Sequence, residues 1–381
     1  MKIKSIFGSK FKSIELGDVV RLAKDKPLDL RCGRQISDFN IAFQTYGKLN
    51  KNKDNVILIC HALTGDQYVA SANPVTQKEG WWSSIVGDGK AIDTKKYFVI
   101  CSNVLGGCLG SLGPKEIDEK TGQPYGFNFP IITVGDMVEA QKLLLDELGI
   151  DKIKSVIGGS MGGFLALQWS ISYPNMVASV MPIATSYRFN TQNIAFNEIS
   201  RQAIMADVNW CEGKYYEEKK YPKNGLALAR MIAHITYMSK DALHQKFGRN
   251  LQNSKDLGYN FDIDFQIESY LHHQGYSFVE RFDPNSYLYI TKAMDYFDLE
   301  EEFGGNLSAA FSGCDDVRFC LVSFSDDWLF TCDEAKYLAK SLNIAGADVS
   351  FVNIESKNGH DSFLLENKPL GKTIKGFLDS L

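Results

Sequence analysis

The sequence predicts an α/β protein built on a mostly parallel central sheet with an inserted helical lid. Three observations predict it. Short apolar runs alternate with helically spaced apolar residues through 1–185 and again through 306–381. The stretch between them, 186–305, loses the strand-like runs and turns rich in Tyr, Asn, Lys and Glu. Gly158-Gly159-Ser160-Met161-Gly162 stands where an apolar strand gives way to an apolar helix. A chain of 381 residues has room for one large α/β domain with an insertion, or for two domains.

Taken in order, Asn55-Val56-Ile57-Leu58-Ile59-Cys60 and Tyr97-Phe98-Val99-Ile100-Cys101 read as buried parallel strands. Residues 136–148 carry apolar side chains at helical spacing, with Thr133 placed to cap the start and Gly149 to end the helix. Ser155-Val156-Ile157-Gly158-Gly159 is the strand entering the Ser160 turn, 164–172 the helix leaving it, and 177–184 the next strand. In the middle segment 190–206, 225–239, 261–274 and 285–296 read as helices. After it come a strand at 317–324, a helix at 331–342, a strand at 348–354, a loop with Gly359-His360-Asp361, and a last helix.

Composition excludes several classes. The net charge is −5 with no long basic run, which argues against a nucleic-acid partner. No apolar run is long enough for a transmembrane helix, and residues 1–11 lack the apolar stretch of a signal peptide. The eight cysteines show no C-x-x-C pair or regular spacing, so they read as reduced structural residues, and the expected compartment is the cytoplasm. His272-His273 is adjacent, its side chains diverge on a helix, and no metal is expected.

The chemistry starts at Ser160. Gly-x-Ser-x-Gly between strand and helix is the nucleophile elbow of the α/β-hydrolase fold. The serine there sits at a helix N-terminus, where N–H groups and the macrodipole favour developing negative charge. Its hydroxyl needs a general base, and the base an orienting acid, in the chain order Ser, Asp or Glu, His. Of six histidines only His360 follows a final strand near the C-terminus. His61 also follows a strand but precedes the serine, and is expected to shape the loop beside the site. The acid belongs at the end of the 317–324 strand, where spacing leaves Asp326 and Asp327 both open. Of two oxyanion N–H donors, one is Met161; the other comes from the loop Cys60-His61-Ala62-Leu63-Thr64-Gly65.

These residues resemble the homoserine O-acyltransferases of methionine biosynthesis. The resemblance rests on Phe43-Gln44-Thr45-Tyr46-Gly47, His61-Ala62-Leu63-Thr64-Gly65-Asp66, Asn103-Val104-Leu105-Gly106-Gly107-Cys108, the Ser160 turn, Gln192-Asn193-Ile194-Ala195-Phe196-Asn197-Glu198, Asp327-Trp328-Leu329-Phe330, and Gly359-His360-Asp361-Ser362-Phe363-Leu364. It implies that Asp327 is the acid and that Leu63 and Met161 supply the oxyanion donors. It implies a ping-pong reaction in which Ser160 takes an acyl group from an acyl-CoA and homoserine then receives it. It further implies that Arg230 and Tyr237 hold the acceptor's carboxylate and that Asp361 accepts from its ammonium. No cofactor beyond the acyl-CoA co-substrate is expected, and the family is typically dimeric through the helical lid. The chain departs from the family pattern at Leu112, at 115–118 and at Thr331, positions expected near the acyl or acceptor group. Acetyl-CoA and homoserine are the leading substrates; succinyl-CoA, serine, and plain ester or thioester hydrolysis are the alternatives. A non-catalytic binding protein is disfavoured by the intact Ser160, Asp327 and His360.

Overall fold

The computed structural model describes residues 17–365 and 368–381, with a strand pair at 2–3 and 14–15. Eight strands form the central sheet: β1 (Asp18–Leu22), β2 (Phe39–Tyr46), β3 (Val56–Cys60), β4 (Phe98–Ser102), β5 (Ser155–Gly159), β6 (Ser179–Ile183), β7 (Arg318–Phe324) and β8 (Asp348–Ile354). Their order across the sheet is β8-β7-β6-β5-β3-β4-β2-β1. Neighbours from β4 through β3 to β8 are parallel, while β2 runs antiparallel to both β4 and β1. The sequence patterns did not mark β1 or β2.

Both faces of the sheet are covered, which is why β3 reads as an unbroken apolar run. Val56, Leu58 and Cys60 belong to the larger core with helices α1 (Val134–Glu147) and α2 (Met161–Ser172), and Ile57 and Ile59 to the core on the other face. Helix α1 begins at the expected cap: the Thr133 hydroxyl accepts from the Asp136 N–H and the Asp136 carboxylate accepts from the Thr133 N–H.

Between β6 and β7 the chain inserts α3 (Thr191–Met205), α4 (Lys223–Tyr237), α5 (Lys240–Phe247), α6 (Gln266–Val279) and α7 (Pro284–Asp295). Two expected spans shift. Helix α4 stops at Tyr237, not at 239, because the Ser239 hydroxyl accepts from the Ala242 N–H and caps α5 instead. Helix α6 covers 266–279 where 261–274 was expected. Asn260, Asp262 and Asp264 hold a turn with local hydrogen bonds, and Glu268 reaches back to the N–H groups of Asp264 and Phe265 to start the helix. After β7 come α8 (Cys332–Ile344) and, after β8, α9 (Lys368–Asp379). No helix among the described residues is long and apolar enough to cross a membrane.

Because β3, β5, β7 and β8 are parallel, the loops leaving them gather at one edge of the sheet. His61, Ser160, Asp327 and His360 all lie on those loops.

Candidate active site

β5 ends at Gly159 and α2 starts at Met161, so Ser160 alone makes the turn. Its backbone stands at φ 58° and ψ −125°, a sparsely populated conformation that costs on the order of 1–3 kcal/mol. The Gly163 N–H and the Thr185 hydroxyl both donate to the Ser160 carbonyl, at 2.8 and 2.9 Å, and hold it there. A side chain at Gly158 would strike the Gly162 carbonyl, and one at Gly162 the Cys60 carbonyl. The close crossing of strand and helix therefore requires glycine at both positions.

His360 lies in a helical turn after β8, Gly359–Phe363. Its Nε2 is 2.8 Å from Ser160 Oγ and its Nδ1 is 2.8 Å from Asp327 Oδ2. The second oxygen of Asp327 accepts from the Leu329 and Phe330 N–H groups at 3.0 and 3.1 Å, which fixes the carboxylate. All three side chains are buried. Burial pulls the His360 pKa down, but the Asp327 charge and hydrogen bond, with Asp361 behind them, outweigh it, and the net direction is upward. Asp326 points elsewhere, lining an outer groove with Lys240 and Trp328.

Leu63 lines the same cavity as Ser160 and His360, and Met161 opens α2. Neither backbone N–H has an acceptor among the described residues. His61 shapes the Leu63 loop, in line with its expected part. Its Nε2 accepts from the Val104 N–H at 3.1 Å, so its proton sits on Nδ1, which donates to the Ala62 carbonyl at 2.8 Å. Burial pushes its pKa down to about 4, and the ring is neutral.

The cavity at Ser160 measures about 50 Å³. Phe189, Phe196, Tyr287, Met294, Leu329 and Phe330 give its wall a mainly apolar character, with Asn193, Asn197, Ser200 and Thr236 among them, and no Lys, Arg, Asp or Glu of the described residues lines it. Of the residues assigned to the acceptor, Asp361 follows His360 in the chain, Tyr237 packs on its ring, and Arg230 lies on the far side of Tyr237. Arg230, on α4, donates from Nη1 to the Thr64 hydroxyl at 3.3 Å and places its guanidinium over the rings of Phe278 and Tyr237. The Tyr237 ring faces the His360 ring. The Asp361 carboxyl pKa is raised by burial, against the opposing pull of His360 and Arg230, so these three groups share one electrostatic neighbourhood. Phe278 and Arg281, near Arg230, had no distinguishing sequence signal, each being a single residue outside any spacing pattern, whereas Thr64 stands in the His61–Asp66 motif without a role read for it there.

The departures from the family pattern do not line the Ser160 cavity. Leu112 is buried in the larger core, Lys115 pairs with Glu116 at 2.6 Å, and Thr331 caps α8 through Glu334.

A family model described as the alpha/beta hydrolase fold matches residues 55–367. A protein of Mesorhizobium japonicum named homoserine O-acetyltransferase is 58% identical over 95% of this chain and 93% of its own length. One of the same name from Pelagibacter ubique is 57% identical over 93% of this chain and 95% of its own. Among solved structures, homoserine O-acetyltransferase from Bacillus anthracis is similar at a TM-score of 0.87 and 28% identity, covering 95% of this chain and 97% of that one. An esterase is similar at 0.85 and 27%, covering 95% and 99%.

Proposed function

Since the chain belongs to the homoserine O-acetyltransferase family of α/β hydrolases, we propose that it transfers an acetyl group from acetyl-CoA to the hydroxyl of L-homoserine through an acetylated Ser160, a step of methionine biosynthesis. The observation that carries the reading is a cation and an anion flanking the Ser160–His360 hydrogen bond: Asp361 follows His360 in the chain, and Arg230 stacks on Tyr237, whose ring faces His360. A free amino acid presents a carboxylate and an ammonium, and this pair matches both.

In the first half-reaction Ser160 Oγ attacks the thioester carbonyl while His360 Nε2 takes its proton. Asp327 holds Nδ1–H and stabilises the imidazolium. The oxyanion is held by the Leu63 and Met161 N–H groups; a donor of this kind contributes about 3–4 kcal/mol to the transition state. The C–S bond breaks, His360 returns the proton to sulfur, and CoA leaves. In the second half the homoserine hydroxyl gives its proton to His360 and attacks the acyl-serine carbonyl. The Ser160–acyl bond then breaks, and His360 reprotonates Oγ. Arg230 and Tyr237 bind the carboxylate and Asp361 the ammonium, which favours this hydroxyl over water.

The small apolar cavity supports acetyl as the acyl group. A succinyl carboxylate there would meet no cation in the wall. No cofactor is required beyond the CoA thioester, and we place the enzyme in the cytoplasm as a homodimer, with no membrane or nucleic-acid partner.

The test is CoA thiol release from acetyl-CoA or succinyl-CoA with homoserine, serine or no acceptor. The expected result is release that needs homoserine and prefers acetyl-CoA. Release at full rate without an acceptor sinks the transferase reading in favour of hydrolysis, the activity named for the similar esterase.

A further inference from the structure

Arg281 follows α6, on the insertion, and its guanidinium reaches the loop that carries Leu63. Its Nη1 donates to the Thr64 carbonyl at 2.9 Å. Among the described residues the arginine ion pairs are those of Arg21, Arg31, Arg188, Arg201 and Arg318, so Arg281 has none. Asp66 shares a small cleft with it, but the Asp66 oxygens accept from the Tyr68 N–H and the Asn73 side chain. Burial and the Arg230 charge pull the Arg281 pKa down to about 10, against the opposing charge of Asp66, and the group stays charged at neutral pH. A half-buried cation with no direct carboxylate partner still costs desolvation to keep.

The hydrogen bonds leading away from Arg281 give that cost a use. The Thr64 carbonyl that accepts from Arg281 shares its peptide unit with the Gly65 N–H. That N–H donates to the Ala62 carbonyl at 2.8 Å. The Ala62 carbonyl shares its peptide unit with the Leu63 N–H, the assigned oxyanion donor, which has no acceptor among the described residues. In a trans peptide the C=O and N–H dipoles align, and hydrogen bonds in series strengthen one another. A positive charge at the far end raises the donor strength of the last N–H.

We propose that Arg281 is a positioning residue of the oxyanion hole, acting on the Leu63 N–H through the two peptide units that link Thr64, Gly65 and Ala62. Arg281 thus serves both half-reactions equally, whereas Arg230, on the Thr64 hydroxyl, faces the acceptor. The inference rests on the acyl-serine half of the function proposed above and on nothing about CoA or homoserine.

The experiment uses p-nitrophenyl acetate, which can acetylate Ser160 without CoA. Arg281→Met should slow acetylation, and transfer of the acetyl group to homoserine, each roughly tenfold to hundredfold. The KM for homoserine should stay unchanged, and Arg281→Lys should recover most of the rate. A trifluoromethyl ketone, whose adduct on Ser160 bears an oxyanion, should bind Arg281→Met more weakly by a factor similar to the rate loss. A merely structural role would not make rate and ketone affinity fall together. Should the Met variant not fold, Arg281→Gln carries the same expectation. Acetylation of a folded neutral variant at the wild-type rate, or a change confined to homoserine KM, overturns the inference. Failure of the wild-type protein to form acetyl-Ser160, read by mass spectrometry, sinks the acyl-serine reading itself and is thereby distinguished.

Discussion

The Arg230 guanidinium carbon lies 5.6 Å from the centroid of the Tyr237 ring, two turns further along the same helix. That ring in turn faces His360 at 5.9 Å. The stack links the cation assigned to the acceptor carboxylate with the general base through one aromatic side chain.

Removing the cation should therefore affect the second half-reaction alone. Arg230→Ala is expected to raise the KM for homoserine about 10- to 100-fold, the worth of a hydrogen bond to a charged group. Acyl loading of Ser160 should remain intact. Arg230→Lys should recover only part of the loss, because an ammonium cannot fork onto a carboxylate. Steady-state kinetics paired with single-turnover acylation separates the two halves; equal loss in both would move Arg230 out of acceptor binding.

Asp327→Asn should leave the Ser160–His360 geometry in place and lower the rate roughly 10³- to 10⁴-fold, by losing the charge that stabilises the imidazolium. The pH profile carries a second check. His360 must be neutral to take the proton, and its pKa is raised above its ordinary 6.5. Activity is therefore full above that raised pKa and falls with acid at a pH higher than 6.5. In Asp327→Asn the burial of the ring is no longer outweighed, so the acid limb of kcat/KM should move to lower pH. A limb that stays in place would show that Asp327 does not set the His360 pKa.

His61 makes the fold itself sensitive to acid. Its pKa is about 4 in the folded chain against an ordinary 6.5, so the unfolded chain binds the extra proton. The stability tied to the neutral ring is complete above 6.5 and is lost as pH falls toward 4. Between pH 7.5 and 5 this amounts to on the order of 2 kcal/mol. His61→Gln abolishes this titration, so urea unfolding at the two pH values should show a smaller acid loss in the variant. The same acid loss in both proteins would contradict the buried neutral ring.

What the sequence made legible follows from locality. The Ser160 turn could be read because its strand, its glycines and its helix are contiguous. His360 could be read because the fold's chain order leaves one histidine after the last strand. The acid could not be separated by spacing: Asp326 and Asp327 are neighbours, and only the turn after β7 sends one to His360 and the other to an outer groove. β2 was missed because its sequence, Phe39-Asn40-Ile41-Ala42-Phe43-Gln44-Thr45-Tyr46, mixes polar and apolar residues at an antiparallel margin of the sheet. Arg281 was missed because nothing local distinguishes an arginine after a helix; its partner, Thr64, is 217 residues away in the chain.

The Ser160 turn, Asp327 and His360 rise from the ends of sheet strands, whereas Arg230 and Tyr237 ride on a helix inserted between β6 and β7. The nucleophile and the pair assigned to the acceptor carboxylate are thus inherited on separate stretches of chain. Redesign of that carboxylate recognition can be confined to 191–295, with the reacting machinery left as it stands. Two residues cross the division: Asp361, assigned to the ammonium, rides beside His360 after β8, and Arg281 lies within the insertion yet touches the Leu63 loop, so a transplanted insertion would have to bring it along.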